Sequence, residues 1–127
     1  MRFVCLVHVD DGMMAALSED EKTKLNDETI DFDWEMRRRG HLILAQPLQP
    51  SRTAVIVRSR NGKVSRTDGP FMETKEILGG FFLIEAENID QAVEIAELSP
   101  MTRMGSIEIR SVPNHTHSVT GKKRPEM

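Results

Sequence analysis

The sequence predicts an α+β fold in which an open antiparallel sheet carries two helices on one face. Short apolar runs recur along the chain as strands do, and two longer stretches carry apolar residues at helical spacing. A two-residue Asn61-Gly62 turn joins two of the short runs, which is a strong hairpin signal. Together these features give the ferredoxin-like order βαββαβ with an extra hairpin inserted in the middle.

The first predicted strand, residues 3–9, is largely apolar on both faces. Phe3 and Cys5 share one face with two valines, whereas Leu6 and His8 lie on the other. A strand of this kind is typically central in its sheet and covered on both sides. Because both helices occupy one face of the sheet, a partner subunit is expected to cover the other face.

One amphipathic helix is predicted over residues 18–39. Ser18 and Glu21 form a capping-box pattern at its start, and Gly40 follows its end. Acidic residues crowd the first turn and three arginines the last, which matches the helix dipole. The apolar stripe expected to face the sheet consists of Leu25, Phe32 and Met36.

The remaining elements complete one domain. A second helix is expected from Ile89 to Leu98, after the N-cap residue Asn88. Further strands are predicted at residues 42–45, 54–57, 63–67, 80–86 and 106–110. Residues 1–112 form the domain, and residues 113–127 form a polar tail that is expected to be disordered on its own.

The composition narrows the class of protein. The 127 residues suffice for one domain with a hydrophobic core. With 17 basic and 20 acidic residues the net charge is −3, so no direct binding to nucleic acid or to an anionic membrane is expected. No apolar run approaches the ~18 residues of a membrane span, and Cys5 has no internal disulfide partner. A cytoplasmic location is therefore predicted.

The densest functional chemistry lies in residues 67–82, where Asp68-Gly69-Pro70-Phe71 forms a stiff bend. Asp68 could act as a general acid or base at the mouth of a cleft. An aspartate at a turn also commonly does no more than cap its own backbone. On the functional interpretation, Gly69, Pro70 and Phe71 contact the ligand.

Glu73, Lys75 and Glu76 follow the bend. A lysine flanked by carboxylates keeps its charge, which makes it a good anchor for an anion, so Glu73 and Lys75 are predicted to bind the ligand. The alternative is a solvated helical turn whose charges pair with one another. Gly79 and Gly80 either admit a ligand close to the backbone or mark a bulge at the entry to a strand.

His8 could act as an acid or a base near neutral pH, or it could be a satisfied, half-buried core histidine. His115 and His117 are two possible metal ligands on the polar tail, which is too few to predict a site. The sequence contains no Cys/His cluster for zinc, no P-loop and no dinucleotide fingerprint. No metal and no cofactor are therefore predicted.

With this motif the sequence resembles the DGPF subgroup of the YCII-related family. The resemblance covers nearly all of residues 1–112 and is carried by Asp68, Gly69, Pro70, Phe71, Glu73, Lys75, Glu76, Gly79, Gly80 and Phe81. It implies a dimeric α+β barrel, in which two ferredoxin-like subunits pack sheet to sheet with a cleft in each. Some members are linked to extracytoplasmic-function sigma factors, so a sigma factor is a possible partner by resemblance alone.

The family is also associated with a histidine–aspartate pair in the cleft. At the matching positions this sequence has Thr29 and Ser99, which leaves acid–base chemistry to Asp68 and His8. We expect a homodimer that binds a small molecule at the Asp68 bend. The alternatives are an enzyme that uses Asp68 as acid or base on a small carbonyl metabolite, and an accessory partner of a sigma factor.

Overall fold

A computed structural model describes residues 1–69 and 75–126, so Pro70, Phe71 and Glu73 lie outside the described residues. The strands are β1 (Arg2–Asp10), β2 (Leu42–Pro47), β3 (Val55–Arg60), β4 (Lys63–Asp68), β5 (Glu76–Glu85) and β6 (Gly105–Ser111). The helices are α1 (Asp11–Ala15), α2 (Glu19–Arg38) and α3 (Ile89–Glu97), with 3-10 turns at Ser51–Thr53 and Pro100–Arg103.

The main sheet has four antiparallel strands in the order β2-β5-β1-β6. This is the ferredoxin-like order, so the predicted fold class is confirmed. Strands β3 and β4 pair with each other in a separate two-stranded sheet. Asn61 and Gly62 join them with φ of 52° and 77°, the positive values that a tight hairpin turn requires. The inserted hairpin is therefore confirmed as well.

The hydrophobic core lies between one face of the main sheet and helices α2 and α3. Along β1, buried residues alternate with half-buried ones, as the pattern of residues 3–9 predicts. Phe32 of α2 contacts Phe82 of β5 edge to face, with ring centroids 5.6 Å apart. Burial raises the pKa of the Cys5 thiol to about 12, so the thiol is unreactive in the folded protein.

Helix α2 begins as its sequence predicts. The Ser18 hydroxyl accepts a hydrogen bond from the Glu21 backbone at 3.1 Å, and the Glu21 carboxylate accepts one from the Ser18 backbone at 3.0 Å. These bonds satisfy two backbone donors at the helix start and lower the pKa of Glu21. Leu25 and Met36 are buried, so the predicted apolar stripe faces the sheet.

Two local predictions differ from the structure. Strand β5 begins at Glu76, inside the stretch for which a solvated helical turn was one alternative. Within β5 the register against β1 shifts between Val7 and His8, so that Gly79 is an extra residue in the ladder. Gly79 therefore forms a bulge, but inside the strand rather than at its entry.

The connection predicted after β1 contains the short helix α1 (Asp11–Ala15). The Asp10 carboxylate caps it by accepting a hydrogen bond from the Met13 backbone at 3.0 Å. Among the described residues, no helix has both the length and the apolar character needed to cross a membrane.

The face of the main sheet that points away from the helices is only half buried in the single chain. It presents large apolar side chains from the two central strands, which are those of the half-buried residues Val4, Leu6, Phe81 and Leu83. His8 lies on the same face. We refer to this surface as the open sheet face.

Gly105 permits the close approach of β6 to β1, because a Cβ atom at this position would overlap the backbone carbonyl oxygen of His8. Gly105→Ala is therefore expected to lower the free energy of unfolding by about 1–3 kcal/mol, measured by urea denaturation. Gly12→Ala is the matched control, since its Cβ would meet only the Asp10 carboxylate, at 3.2 Å. Equal stabilities of the two variants would contradict the prediction.

Candidate functional site

A cavity of about 760 Å³ lies beside the first half of α2, where the helix adjoins the end of β2 and the start of β5. A second cavity of about 330 Å³ adjoins it. The two cavities have five residues in common in their walls, which are Asn26, Thr29, Pro47, Gly79 and Met101. We call them together the α2 cleft, and their volumes lie in the range typical of small-molecule sites.

The walls of the α2 cleft are mainly apolar. Val9 and Ile77 come from the sheet, Leu25 from α2, and Met101 from the turn after α3. A few polar groups interrupt this surface. Such a lining can enclose the apolar body of a small molecule while a few polar contacts fix its orientation.

Helix α2 contributes several of these polar groups through one stripe of side chains. Its members in the cleft, which follow one another at intervals of three or four residues, are Lys22, Asn26, Thr29 and Asp33. Arg37 continues the stripe beyond the cleft, beside β2. This spacing places them on one face of the helix, beside the buried Leu25 and Met36. This stripe was not predicted as part of a site, although its helical spacing is visible in the sequence.

Thr29 and Ser99 both line the smaller cavity of the cleft. The Thr29 hydroxyl donates a hydrogen bond to the Asn26 backbone carbonyl at 2.8 Å. Ser99 is 5% exposed, and its hydroxyl accepts a hydrogen bond from the Met101 backbone at 3.2 Å. The two positions at which the resemblance implies a histidine–aspartate pair therefore meet in one cavity, where the chain has two hydroxyl groups.

Among the described residues, Asp33 is the ionisable one in the wall of the smaller cavity, and its side chain is half buried. Burial raises the pKa of this carboxyl group. Glu35, two residues further along α2, shows the opposite effect. Hydrogen bonds from Arg38 at 2.6 Å and from Arg39 at 3.0 Å lower the pKa of Glu35 to about 2. The two carboxyl groups thus have different surroundings, and Asp33 holds its proton more tightly than Glu35 does.

Asp68 and Gly69 are not among the described residues that line the α2 cleft. Asp68 ends β4 in the two-stranded sheet and is exposed. The Gly69 backbone donates a hydrogen bond to the Ala54 carbonyl at 2.8 Å, which closes the base of the hairpin. The proposed roles of Asp68 and Gly69 stay predictions, as do those of Pro70, Phe71 and Glu73 outside the described residues.

Lys75 and His8 are also not among the described residues that line the cleft. The Lys75 ammonium group is 87% exposed and lies 3.8 Å from the Asp10 carboxylate. His8 lies on the open sheet face, and its Nε2 atom is 3.0 Å from the Glu108 carboxylate on the neighbouring strand β6. Among the described residues, no hydrogen bond or ion pair joins His8, Asp68 and Lys75 to one another. Within the same residues, no group of three or more His, Cys, Asp or Glu side chains could hold a metal ion.

Comparison with known proteins identifies the family. The model of the YCII-related domain matches residues 1–115. The chain belongs to the YCII-related family. It is 31% identical over 114 residues to an uncharacterized protein of Rhizobium meliloti (strain 1021), covering 87% of this chain and 90% of that protein. Membership of the DGPF subgroup stays a prediction.

A solved enzyme structure has a similar fold. It is 5-chloro-2-hydroxyhydroquinone dehydrochlorinase (TftG) from Burkholderia phenoliruptrix AC1100, in complex with 2,5-dihydroxybenzoquinone. The TM-score is 0.54 with 13% sequence identity, and the match covers 91% of this chain and 96% of TftG. At this identity the likeness concerns the fold alone.

Ser99 stabilises the turn that closes the cleft. Ser99→Ala removes the acceptor of the Met101 N–H at a buried position, so we expect the free energy of unfolding to fall by about 1–2 kcal/mol. Urea denaturation measures the change, and Ser111→Ala at the exposed end of β6 serves as the control. A loss no larger than that of the control would show that water replaces the hydroxyl group without cost.

Proposed function

We propose that this YCII-related protein binds a small organic molecule in the α2 cleft. The observation that carries the proposal is the cavity of about 760 Å³ beside α2, with apolar walls and few polar groups. Surfaces of this kind take up apolar ligands because binding removes apolar area from water. The proposal keeps the small-molecule function predicted for the Asp68 bend and moves its site to the cleft.

The charges at the larger cavity also limit the ligand. Lys22 and Arg52 line it together with Asp11. Lys22 lies 3.4 Å from the Glu19 carboxylate, and both of these side chains are exposed enough for water to weaken the pair. This end of the cleft therefore tolerates a polar or weakly anionic substituent, whereas the walls toward the core require an apolar body.

A ligand screen by NMR tests the location. We expect compounds that bind to shift the backbone resonances of Thr29, Gly79 and Met101 in the cleft walls. Thr29→Trp is expected to weaken binding at least about tenfold, because the indole ring fills the cleft. Thr23→Trp, on the exposed side of the same helix, is the matched control. Shifts confined to Asp68 and Gly69, with unchanged affinity in Thr29→Trp, would place the site at the bend instead.

An enzyme acting on a small carbonyl metabolite is the second candidate function. What favours it is the fold shared with TftG, a dehydrochlorinase in complex with 2,5-dihydroxybenzoquinone. Thr29 and Ser99 supply hydroxyl groups rather than a histidine–aspartate pair, so Asp68 or His8 would have to transfer the proton. Turnover of a hydroxylated quinone that is unchanged in both Asp68→Asn and His8→Gln would rule out these roles.

We also propose that a second copy of the chain covers the open sheet face. Val4, Leu6, Phe81 and Leu83 form a continuous apolar surface there, and β1 and β5 are the two central strands of the sheet. Water contact with such a surface is unfavourable, and pairing of two identical faces removes it. The link to a sigma factor rests on the family resemblance alone and stays a prediction.

Sedimentation equilibrium tests whether a second copy of the chain covers the open sheet face. The wild-type protein is expected to have the mass of a dimer. Leu6→Arg is expected to have the mass of a monomer, because pairing of two such chains would bury the arginine side chains without partners of opposite charge. Val57→Arg, on a hairpin residue that is 67% exposed, is the control and should leave the mass unchanged. Far-UV circular dichroism checks that each variant is folded. A monomeric wild-type protein would refute the proposal.

A further inference from the structure

Asp33 lies between two concave surfaces. Its side chain forms part of the wall of the smaller cavity in the α2 cleft, and part of a groove of about 240 Å³ between α2 and the edge strand β2. The smaller cavity also contains Thr29, Gln46 and Ser99 in its wall. Asp33 is thus a carboxylate within reach of whatever enters this part of the cleft.

The carboxylate of Asp33 lacks the partners that other acidic groups on the same helix have. Glu28 accepts a hydrogen bond from Arg103 at 2.6 Å, and Glu35 accepts hydrogen bonds from Arg38 and Arg39. Among the described residues, none donates a hydrogen bond to Asp33 or forms an ion pair with it. A half-buried carboxylate without a partner is unfavourable for stability, so its presence needs an explanation.

The charged surroundings of Asp33 offer little compensation. The described side chains that β2, β5 and the turn after α3 contribute to the two surfaces are uncharged. From α2 itself the groove contains Arg37, whose guanidinium donates a hydrogen bond to the Ile43 carbonyl on β2 at 2.8 Å. Arg37 is therefore directed to the backbone of β2, and the Asp33 oxygens keep their capacity to accept hydrogen bonds.

We propose that Asp33 selects the ligand, by accepting a hydrogen bond from the hydroxyl group of a small, uncharged ring compound in the α2 cleft. The inference rests on the proposed function and adds the class of ligand. The apolar walls take the ring, and the partly desolvated carboxylate repels an anion but accepts a hydrogen bond from a hydroxyl group. A half-buried acceptor also disfavours analogues without the donor, since the carboxylate would lose its remaining contact with water and gain no hydrogen bond.

Stability measurements separate this role from a structural one. Burial raises the pKa of Asp33, so the folded protein holds this proton more tightly than the unfolded chain does. The contribution of this proton to folding stability is complete below the ordinary aspartate pKa of about 3.9. It is lost as the pH rises through the raised pKa of Asp33 in the folded protein. Asp33→Asn should therefore raise the melting temperature at about pH 7, with the gain vanishing toward about pH 3. If Asp33 had a structural role, Asp33→Asn would instead lower the melting temperature.

A matched pair of fluorescent probes tests the contact itself. We would titrate the protein with 2-naphthol and with its methyl ether, 2-methoxynaphthalene, which has the same ring system but no hydroxyl donor. The wild-type protein is expected to prefer 2-naphthol by about tenfold, the value of a hydrogen bond to a charged acceptor. The preference should shrink in Asp33→Asn and disappear in Asp33→Leu. Asp31→Asn, an exposed aspartate on the same helix, is the control and should keep the wild-type preference.

The outcomes distinguish a failure of the inference from a failure of the proposed function. Loss of the preference in the Asp33 variants together with a raised melting temperature supports the inference. Binding of both probes in the cleft with the same preference in wild type, Asp33→Asn and Asp33→Leu overturns it but leaves the proposed function intact. A lowered melting temperature in Asp33→Asn also overturns it. Failure of the wild-type protein to bind either probe counts against the α2 cleft as a site for such ring compounds, and thus against both proposals.

Discussion

The pairing of β1 between β5 and β6 is the constraint on which the rest of the structure depends. Side chains alternate strictly along a strand, so burying Phe3 and Cys5 under the helices commits Leu6 and His8 to the opposite face. A shift of the register by one residue would move the first pair of side chains to the open sheet face and the second pair to the core. The core, the open sheet face and the position of α2 over the sheet therefore follow from one pairing.

The α2 cleft arises because helix α2 has two adjoining stripes of side chains. One stripe is apolar and packs on the sheet, and the other is polar and lines the cleft. Leu25 and Met36 anchor α2 on the sheet, and the stripe that contains Thr29 and Asp33 then lies over the region where β2 ends. The bulge at Gly79 locally breaks the ladder beside this region. Packing of the apolar stripe thus determines which polar groups face the cleft.

Much of the fold could be predicted from local chemistry, but little of the cleft. The Ser18 cap and the Asn61-Gly62 turn each satisfy a backbone requirement within a few residues, so their signals are legible in the sequence. The start of β5 depends on pairing with β1, which residues near Glu76 do not reveal. Asp33 resembles any solvated helix residue in the sequence, because its burial depends on β2. The conspicuous Asp68 motif instead predicts a site at the end of the hairpin.

Cys5 gives this molecule a natural reporter of its own motion. The thiol lies at the centre of the core, on the strand between the two pairing partners, and is 0% exposed. A reagent can reach it only when the sheet and helices separate, so the rate of labelling follows the frequency of that opening. Any ligand that binds the closed form alone must slow the labelling in proportion to its occupancy. The protein thus carries its own reporter group for ligand binding, and the measurement requires no knowledge of a reaction.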